Sequence, residues 1–516
     1  MSDLQKKISI DAHSADEKGI GQVQNIDDIH LAETGYKPQL NRNFGLLSVL
    51  AIGFGITNTW FGYSGSLVTG VAVGPVIYIW GTVGISLIAL CIAGTLGELA
   101  SAYPNAGGQY YWVMQLAPKS QKRLASYITG VFSWAGAMVT GASVSLVIGQ
   151  SVVGMYILKN PDTVYDTWMG FVAYQIANVV IFFFNCYDKL LPKFSSISLY
   201  TSLISFLAIS ISCLAASPQK QPAKFVFLGF ENSTGWDSNF VAFVTSVIGV
   251  AWGFSCLDAA THMAEEIPEP EKNIPKALFG TVIIGFITGF VFSIAVFFSL
   301  SSLEDIINTP TYVPSLELYR QALNGSVGGA IVLQTLVTLT ACGCKMSIDT
   351  WQSRLLWSFA RDDGFIFSKK LSTVAKAPIG VPLWAHAFSC FWVAVVGCLY
   401  LASSTAFNSM VTGGILCQYI SYSIPVGFLW AKRRDIRFGP FRMGKFGWFV
   451  NGVVLIWTAF TIVMFSFPFV MPATASTMNY VTVMLGIVLF YAVVWWLVRA
   501  RKEFKGAREH VEPAMS

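Results

Sequence analysis

Charge is what this sequence lacks. Lys and Arg number 33 and Asp and Glu 28, so only 12% of the 516 residues are charged, about half the usual share in a soluble domain. With 54% hydrophobic residues and 39 Phe, the chain cannot clothe a water-facing surface. That excludes a disordered chain, a coiled coil and a soluble nucleic-acid binder. Residues 1–43 hold Lys6, Lys7, Asp11, Asp16, Glu17, Asp27, Asp28 and Glu33 without an apolar run. They read as a disordered cytosolic tail rather than a signal peptide. Of the nine cysteines, eight lie in apolar runs and Cys186 at a helix end. Their spacing gives neither a metal site nor a disulfide framework. With no paired carboxylates, histidine cluster or phosphate loop, neither an enzyme nor a cofactor is expected.

What is present is apolar length. Twelve stretches can cross about 30 Å of hydrocarbon as helices: 46–70, 75–100, 127–158, 168–186, 194–217, 239–261, 278–300, 327–349, 381–401, 406–430, 446–470 and 479–499. The third is long enough to tilt or to extend past the bilayer. The runs are apolar all round, unlike the alternation of a barrel strand, so the fold class is an all-α polytopic membrane protein. An even number of spans puts both termini on one side. If that side is the cytosol, inner loops and the C-terminal tail hold 23 Lys and Arg, against four (Lys159, Lys220, Lys224 and Arg320) in outer loops. The excess of positive charge therefore predicts cytosolic termini. Two glycosylation triplets, at Asn232 and Asn324, fall in loops assigned to the outside.

Two spans are poor material for continuous helices. Span 1 contains Gly53-Phe54-Gly55-Ile56-Thr57-Asn58-Thr59-Trp60-Phe61-Gly62, and span 6 contains Gly249-Val250-Ala251-Trp252-Gly253-Phe254-Ser255-Cys256-Leu257-Asp258. An unwound turn frees backbone N–H and C=O groups at mid-membrane depth, where a transporter needs polar contacts. Small residues also serve close helix packing. Interruptions that open the first and second groups of five spans are what an inverted repeat predicts.

Four segments in order carry a family resemblance: the span 1 run; Gly97-Glu98-Leu99-Ala100-Ser101-Ala102-Tyr103-Pro104 with Gly107-Gly108-Gln109-Tyr110-Tyr111-Trp112; Asp258-Ala259-Ala260-Thr261-His262-Met263-Ala264-Glu265-Glu266 with Pro270 and Asn273-Ile274-Pro275; and Trp357-Ser358-Phe359-Ala360-Arg361-Asp362-Asp363-Gly364, taken as an inner helix after span 8. From about residue 44 to 500 the chain resembles the amino acid–polyamine–organocation superfamily, in its fungal amino acid/choline permease branch. Phe184-Asn185-Cys186-Tyr187 and Leu401-Ala402-Ser403-Ser404-Thr405-Ala406-Phe407 are most similar to the choline-carrying members. The resemblance implies a plasma-membrane importer of choline, and possible carriage of ethanolamine, that is proton-coupled or potential-driven. It further implies a ten-helix inverted-repeat core (44–430) with broken helices 1 and 6, two peripheral helices (431–499), a C-terminal tail (500–516) and a monomer in the lipid bilayer. GABA or another amino acid, thiamine and polyamines remain rival substrates.

A quaternary ammonium nitrogen has no hydrogen to donate, so the expected receptor is a box of aromatic faces. Trp252, Trp60, Tyr63 and Phe254 are the candidates, and the resemblance places a substrate-stacking ring at Trp252; Trp112 reads as an interfacial anchor. Backbone carbonyls of Gly55, Ile56 and Thr57 can face the substrate, and Asn58 can bond its hydroxyl or cap the half-helix. Asp258 matches an acid that couples protons in some relatives, and a structural pairing is the other reading. His262 follows it as a titratable neighbour. The motif gives Glu98 an inner-gate or structural bond. Lys345 and Asp349, four apart, can pair on one helix face, or Lys345 can fill the place that sodium takes in sodium-coupled relatives. The run Glu265, Glu266, Glu269, Glu271 reads as a solvated loop face. A carrier fits this pattern better than a channel, and the short tails lead to a carrier rather than a nutrient sensor. Protons are the coupling ion considered, and no nucleic-acid partner is expected.

The charge asymmetry is checked by labelling. A single cysteine placed in the loop at 218–238 should react with an impermeant reagent added outside intact cells, and reaction from the cytosolic side alone would reverse the topology.

Overall fold

A computed structural model describes Leu31 and residues 36–67 and 71–506. Most of both expected tails, and with them the reading of 1–43 as disordered, lies outside the described residues. The chain divides into one unit of residues 39–507 and a second made of the terminal segments. The first unit contains the helical bundle.

Leaving aside short loop helices, the order is α1 (Leu46–Thr57), α2 (Thr59–Gly65), α3 (Val76–Ala102), α4 (Gln109–Leu116), α5 (Lys122–Lys159), α6 (Thr167–Phe184), α7 (Leu191–Ala216), α8 (Asn239–Ser246), α9 (Ile248–Trp252), a 3₁₀ segment (Leu257–Met263), α10 (Pro270–Phe298), α11 (Val327–Arg361), α12 (Leu383–Ala402), α13 (Ser404–Ala431), α14 (Phe446–Met464) and α15 (Val481–Trp495). Counting α1 with α2, and α8 and α9 with the 3₁₀ segment, as single crossings, eleven helices among the described residues are long and apolar enough to span a membrane. α13 has the length, 28 residues, but its buried face carries Ser409, Thr412, Gln418, Ser421 and Tyr422. That polarity keeps it out of the apolar set, so the expected count of twelve rests on this helix.

Burial sorts the helices into centre and rim. The most apolar stretch of α5 is 89% buried, whereas that of the crossing which begins at Val481 is only 17% buried and turns Ile487, Phe490 and Leu497 outward. Such side chains suit hydrocarbon, not water. α5 has 38 residues and so runs about 57 Å, well beyond the hydrocarbon thickness, as its sequence leads one to expect. It packs against α11 and α13, while α10 lies along α3. Small residues permit the closest approaches: a Cβ on Gly149 would lie 2.8 Å from the Gly170 carbonyl oxygen, and one on Gly136 2.5 Å from the Gln418 amide. Polar side chains also join helices. Asn178 donates to the Cys390 carbonyl at 3.1 Å and Asn185 to that of Met346 at 2.9 Å.

Three expectations are corrected. The Trp357–Gly364 motif is not a separate inner helix, because α11 continues unbroken to Arg361. Glu265 and Glu266 are not on a solvated face. That extension of α11 brings Arg354 to Glu266 at 2.8 Å and Arg361 to Glu265 at 2.7 Å, and both carboxylates are buried; only Glu269 and Glu271 of the run keep solvent contact. Trp112 is not an interfacial anchor. It is wholly buried and donates to the Tyr103 carbonyl at 3.0 Å.

Glu98 sits in the same end of the bundle. Arg434, in the link after α13, donates to both its oxygens at 2.8 and 2.7 Å, and the Met443 N–H adds a bond of 2.8 Å. Removing one partner of a buried ion pair strands the other charge, at a cost of about 3 kcal/mol. Arg434→Gln should therefore lower the unfolding midpoint in detergent clearly, and the double variant Glu98→Gln/Arg434→Gln should recover part of the loss. An unchanged midpoint for the single variant would show that the pair does not hold the link.

Candidate functional site

The first crossing is interrupted at Asn58, whose φ of 29° ends α1 and precedes α2. The sixth is interrupted more widely. α9 ends at Trp252, Cys256 takes a left-handed backbone (φ 60°, ψ 34°), and the chain resumes as the 3₁₀ segment. The two interruptions lie against each other. Thr59 Oγ1 donates to the Gly253 carbonyl at 2.7 Å and Thr57 Oγ1 to that of Ser255 at 3.4 Å. Gly62 and Gly253 allow the approach, since a Cβ on Gly62 would lie 3.0 Å from the Gly253 Cα. Threonine hydroxyls of one crossing thus satisfy carbonyls that the other leaves without a helical partner, as a bilayer interior demands. The Ile56 carbonyl receives a thiol, Cys344 Sγ at 3.5 Å, a weak donor that leaves it good accepting capacity. Gly55 faces Ser347 of α11.

The four candidate rings do not form one box. Trp60 is fully buried, donates to Ser202 of α7 at 2.9 Å and packs on Phe292 of α10. Tyr63 bonds Thr82 at 2.7 Å and meets Tyr78 edge-on, so it belongs to the α3 side. Phe254 is buried beside Gly285 of α10. These rings are spent on packing behind the break. Trp252 differs, because part of its surface stays accessible. Its ring lies over Gly65 beside Val147 of α5 and 6.2 Å from the Phe61 ring. Asn58 does not cap α2 with its side chain; its Oδ1 accepts from Ser202 at 3.0 Å, completing an Asn58–Ser202–Trp60 chain.

Beyond the turn lies a buried polar cluster. Asp258 Oδ1 accepts from the Tyr422 hydroxyl of α13 at 2.6 Å, and Oδ2 lies 3.2 Å from His262 Nε2. His262 Nδ1 is 2.8 Å from the Ala106 carbonyl oxygen. A carbonyl only accepts, so Nδ1 carries a hydrogen. The Nε2–Oδ2 contact then needs a proton of its own, held by the imidazole against a carboxylate or by the carboxyl against a neutral imidazole. Either way the Asp258–His262 contact holds one proton between the two side chains, both sealed from solvent.

The remaining candidates lie apart from the break. Lys345 Nζ pairs with Asp349 one turn on, and Gln352 also donates to Asp349 at 2.8 Å; this is the ion-pair geometry that the spacing suggests. Glu98 is held by Arg434, away from the rings. Asn232 donates to the Trp236 carbonyl and accepts from Thr234, so its side chain is engaged within its own turn. Asn324 is exposed three residues before α11. Among the described residues no group of three His, Cys, Asp or Glu side chains could hold a metal ion.

Residues 44–490 match the family described as amino acid permease, a span that includes both interruptions and the Asp258 cluster. The chain belongs to the amino acid permease family. It is 46% identical over 503 residues to the choline transporter of Saccharomyces cerevisiae, covering 96% of this chain and 89% of that one. It is 40% identical to the swainsonine transporter of Arthroderma benhamiae, over 90% and 92% of the two chains, and 28% identical to the 7-keto 8-aminopelargonic acid transporter of S. cerevisiae, over 89% and 91%. The permease is thus a multi-pass membrane transporter of a small organic substrate, not an enzyme, in the fungal choline permease branch that its motifs resemble.

Four participants are not singled out by sequence reasoning. Ser202 and Tyr422 lie 144 and 164 residues from the partners they meet, and no spacing rule links such positions. Thr59 and Phe61 stand beside candidate residues, but an interrupted helix has no fixed period from which to assign their faces.

Proposed function

We propose that the permease imports choline across the plasma membrane as a monomer, by alternating access at the paired interruptions, with ethanolamine as a second substrate. The observation that carries the reading is the 46% identity, over nearly the whole chain, to a protein named a choline transporter. Site chemistry supports it. Trp252 keeps an accessible ring surface beside Phe61, and the Ile56 carbonyl receives only a thiol; electron-rich groups of this kind suit a cation better than a free carboxylate. That weighs against GABA. Thiamine and polyamines, and the cargoes named for the other relatives, are the competitors to run in the same assay.

The membrane potential alone drives a monovalent cation inward by about 2.3 kcal/mol per 100 mV. In this reading the Asp258–His262 pair adds a proton. Asp258 lies six residues past Trp252, and the left-handed turn at Cys256 joins them. Closure of Trp252 over substrate pulls on that turn and changes the distance to Tyr422, and the stored proton moves with it.

Trp252→Leu should weaken choline binding by about 5- to 30-fold, a loss of about 1–2 kcal/mol, while Trp252→Phe keeps most of the affinity. Equal affinities of the two folded variants would remove Trp252 from the substrate wall.

Asp258→Asn should abolish accumulation driven by a pH gradient while counterflow of labelled choline continues. Proteoliposomes with pH gradient and potential imposed separately give the readout. Wild-type uptake that follows potential alone, without proton entry, would leave Asp258 and His262 a structural pair.

A further inference from the structure

A cavity of about 700 Å³ opens where the C-terminal end of the last crossing meets the link between α11 and α12. Its lining includes five cations, Lys369, Lys370, Arg499, Lys502 and Lys505, against two carboxylates, Asp363 and Glu503, and five minus two leaves three positive charges. Arg499 is already paired with Glu503 at 2.7 Å. The four lysines are exposed, and among the described residues no carboxylate lies within ion-pair distance of them.

The wall that carries Lys502 and Lys505 is held in place. Arg123 of α5 donates to the Phe504 carbonyl at 3.0 Å and to that of Arg501 at 2.9 Å. The Phe504 ring is fully buried, 5.5 Å from Tyr127 and 5.7 Å from Phe359. The ammonium groups therefore project from a fixed scaffold. The opposite wall is fixed at Lys370, whose Nζ lies 3.6 Å from the centre of the Trp384 ring.

The surroundings set the depth. Beside the cavity, Leu497 and Val498 are 64% and 68% exposed, and Phe367 and Trp384 are exposed as well. Large apolar side chains next to clustered lysines mark the boundary between hydrocarbon and headgroups. The basic-residue asymmetry assigns this end of the bundle to the cytosolic leaflet, which is the anionic one.

We propose that this cavity binds the headgroup of an anionic phospholipid that carries more than one phosphate. Phosphate oxygens accept from the lysine ammonium groups, while the acyl chains lie along Leu497, Val498 and Phe367. A soluble phosphate would gain nothing from that apolar rim. The occupant ties the last crossing to the α11–α12 link, and through Phe504 to α5 and α11.

The test uses the full-length protein in phosphatidylcholine nanodiscs, with phosphatidylinositol bisphosphate as probe and native mass spectrometry as readout. The wild type should retain the probe over bulk lipid. Lys369→Gln/Lys370→Gln/Lys502→Gln/Lys505→Gln should weaken retention by about fivefold for each lysine removed. Lys432→Gln/Lys445→Gln, exposed on the same end but outside the cavity, should leave it unchanged. If the fourfold variant fails to fold, Lys502→Gln/Lys505→Gln gives the same readout at about 25-fold. Wild-type retention by the cavity variants, or equal loss in the control, overturns the site. Soluble inositol trisphosphate bound as tightly as the lipid overturns the lipid assignment and gives the cavity to a free anion.

Discussion

A backbone that unwinds inside a membrane must find partners for its own polar groups, because hydrocarbon supplies none. In this permease the partners are two threonines. Thr59 and Thr57 bond the Gly253 and Ser255 carbonyls, so the interruption of the sixth crossing is completed by side chains from the first. Neither break is satisfied alone. Gly62 and Gly253 exist at that contact because hydroxyl and carbonyl meet only if the two backbones nearly touch. The contact joins the two breaks into one packed unit.

The same turn connects Trp252, the proposed substrate ring, to Asp258, the proposed coupling acid. Trp252 stands at its start and Asp258 just past its end, with Cys256 in a left-handed conformation between them. A continuous helix would transmit motion along its axis. The short irregular turn at Cys256 has no such continuous axis. The bonds there run to three elements: Tyr422 on α13, His262 in the 3₁₀ segment and, through His262, the Ala106 carbonyl ahead of α4.

Three buried ion pairs gather at one end of the described bundle. Glu98 with Arg434, Glu265 with Arg361 and Glu266 with Arg354 each join segments far apart in the chain. Buried pairs of this kind contribute little net stability, yet they are costly to break singly. They specify which link lies over which helix, and they can open only together with the helices that carry them. The lysines around the last crossing, by contrast, are exposed.

Composition alone determined a polytopic α-helical protein, since apolar runs of about 20 residues have only one way to satisfy their backbone in lipid. Clustered Gly, Thr and Asn marked the first interruption, and Gly, Ser and an acid more faintly the sixth, because those residues are poor material for a continuous lipid-facing helix. The order of four motifs gave the family. Helix ends were less legible: α11 runs on to Arg361 past its apolar window, because its polar extension is sheltered by Glu265 and Glu266 rather than by lipid. Side-chain direction was not legible at all. Trp60, Tyr63 and Phe254 carry the same chemistry as Trp252, yet they turn into packing against α7, α3 and α10. Nor could any local pattern join Asp258 to Tyr422 or Asn58 to Ser202. Sequence sets what each residue can donate, accept or stack upon; only the tertiary structure decides which partner lies within reach, because contacts between distant segments depend on how helices rotate and cross, and that is settled by the whole bundle at once.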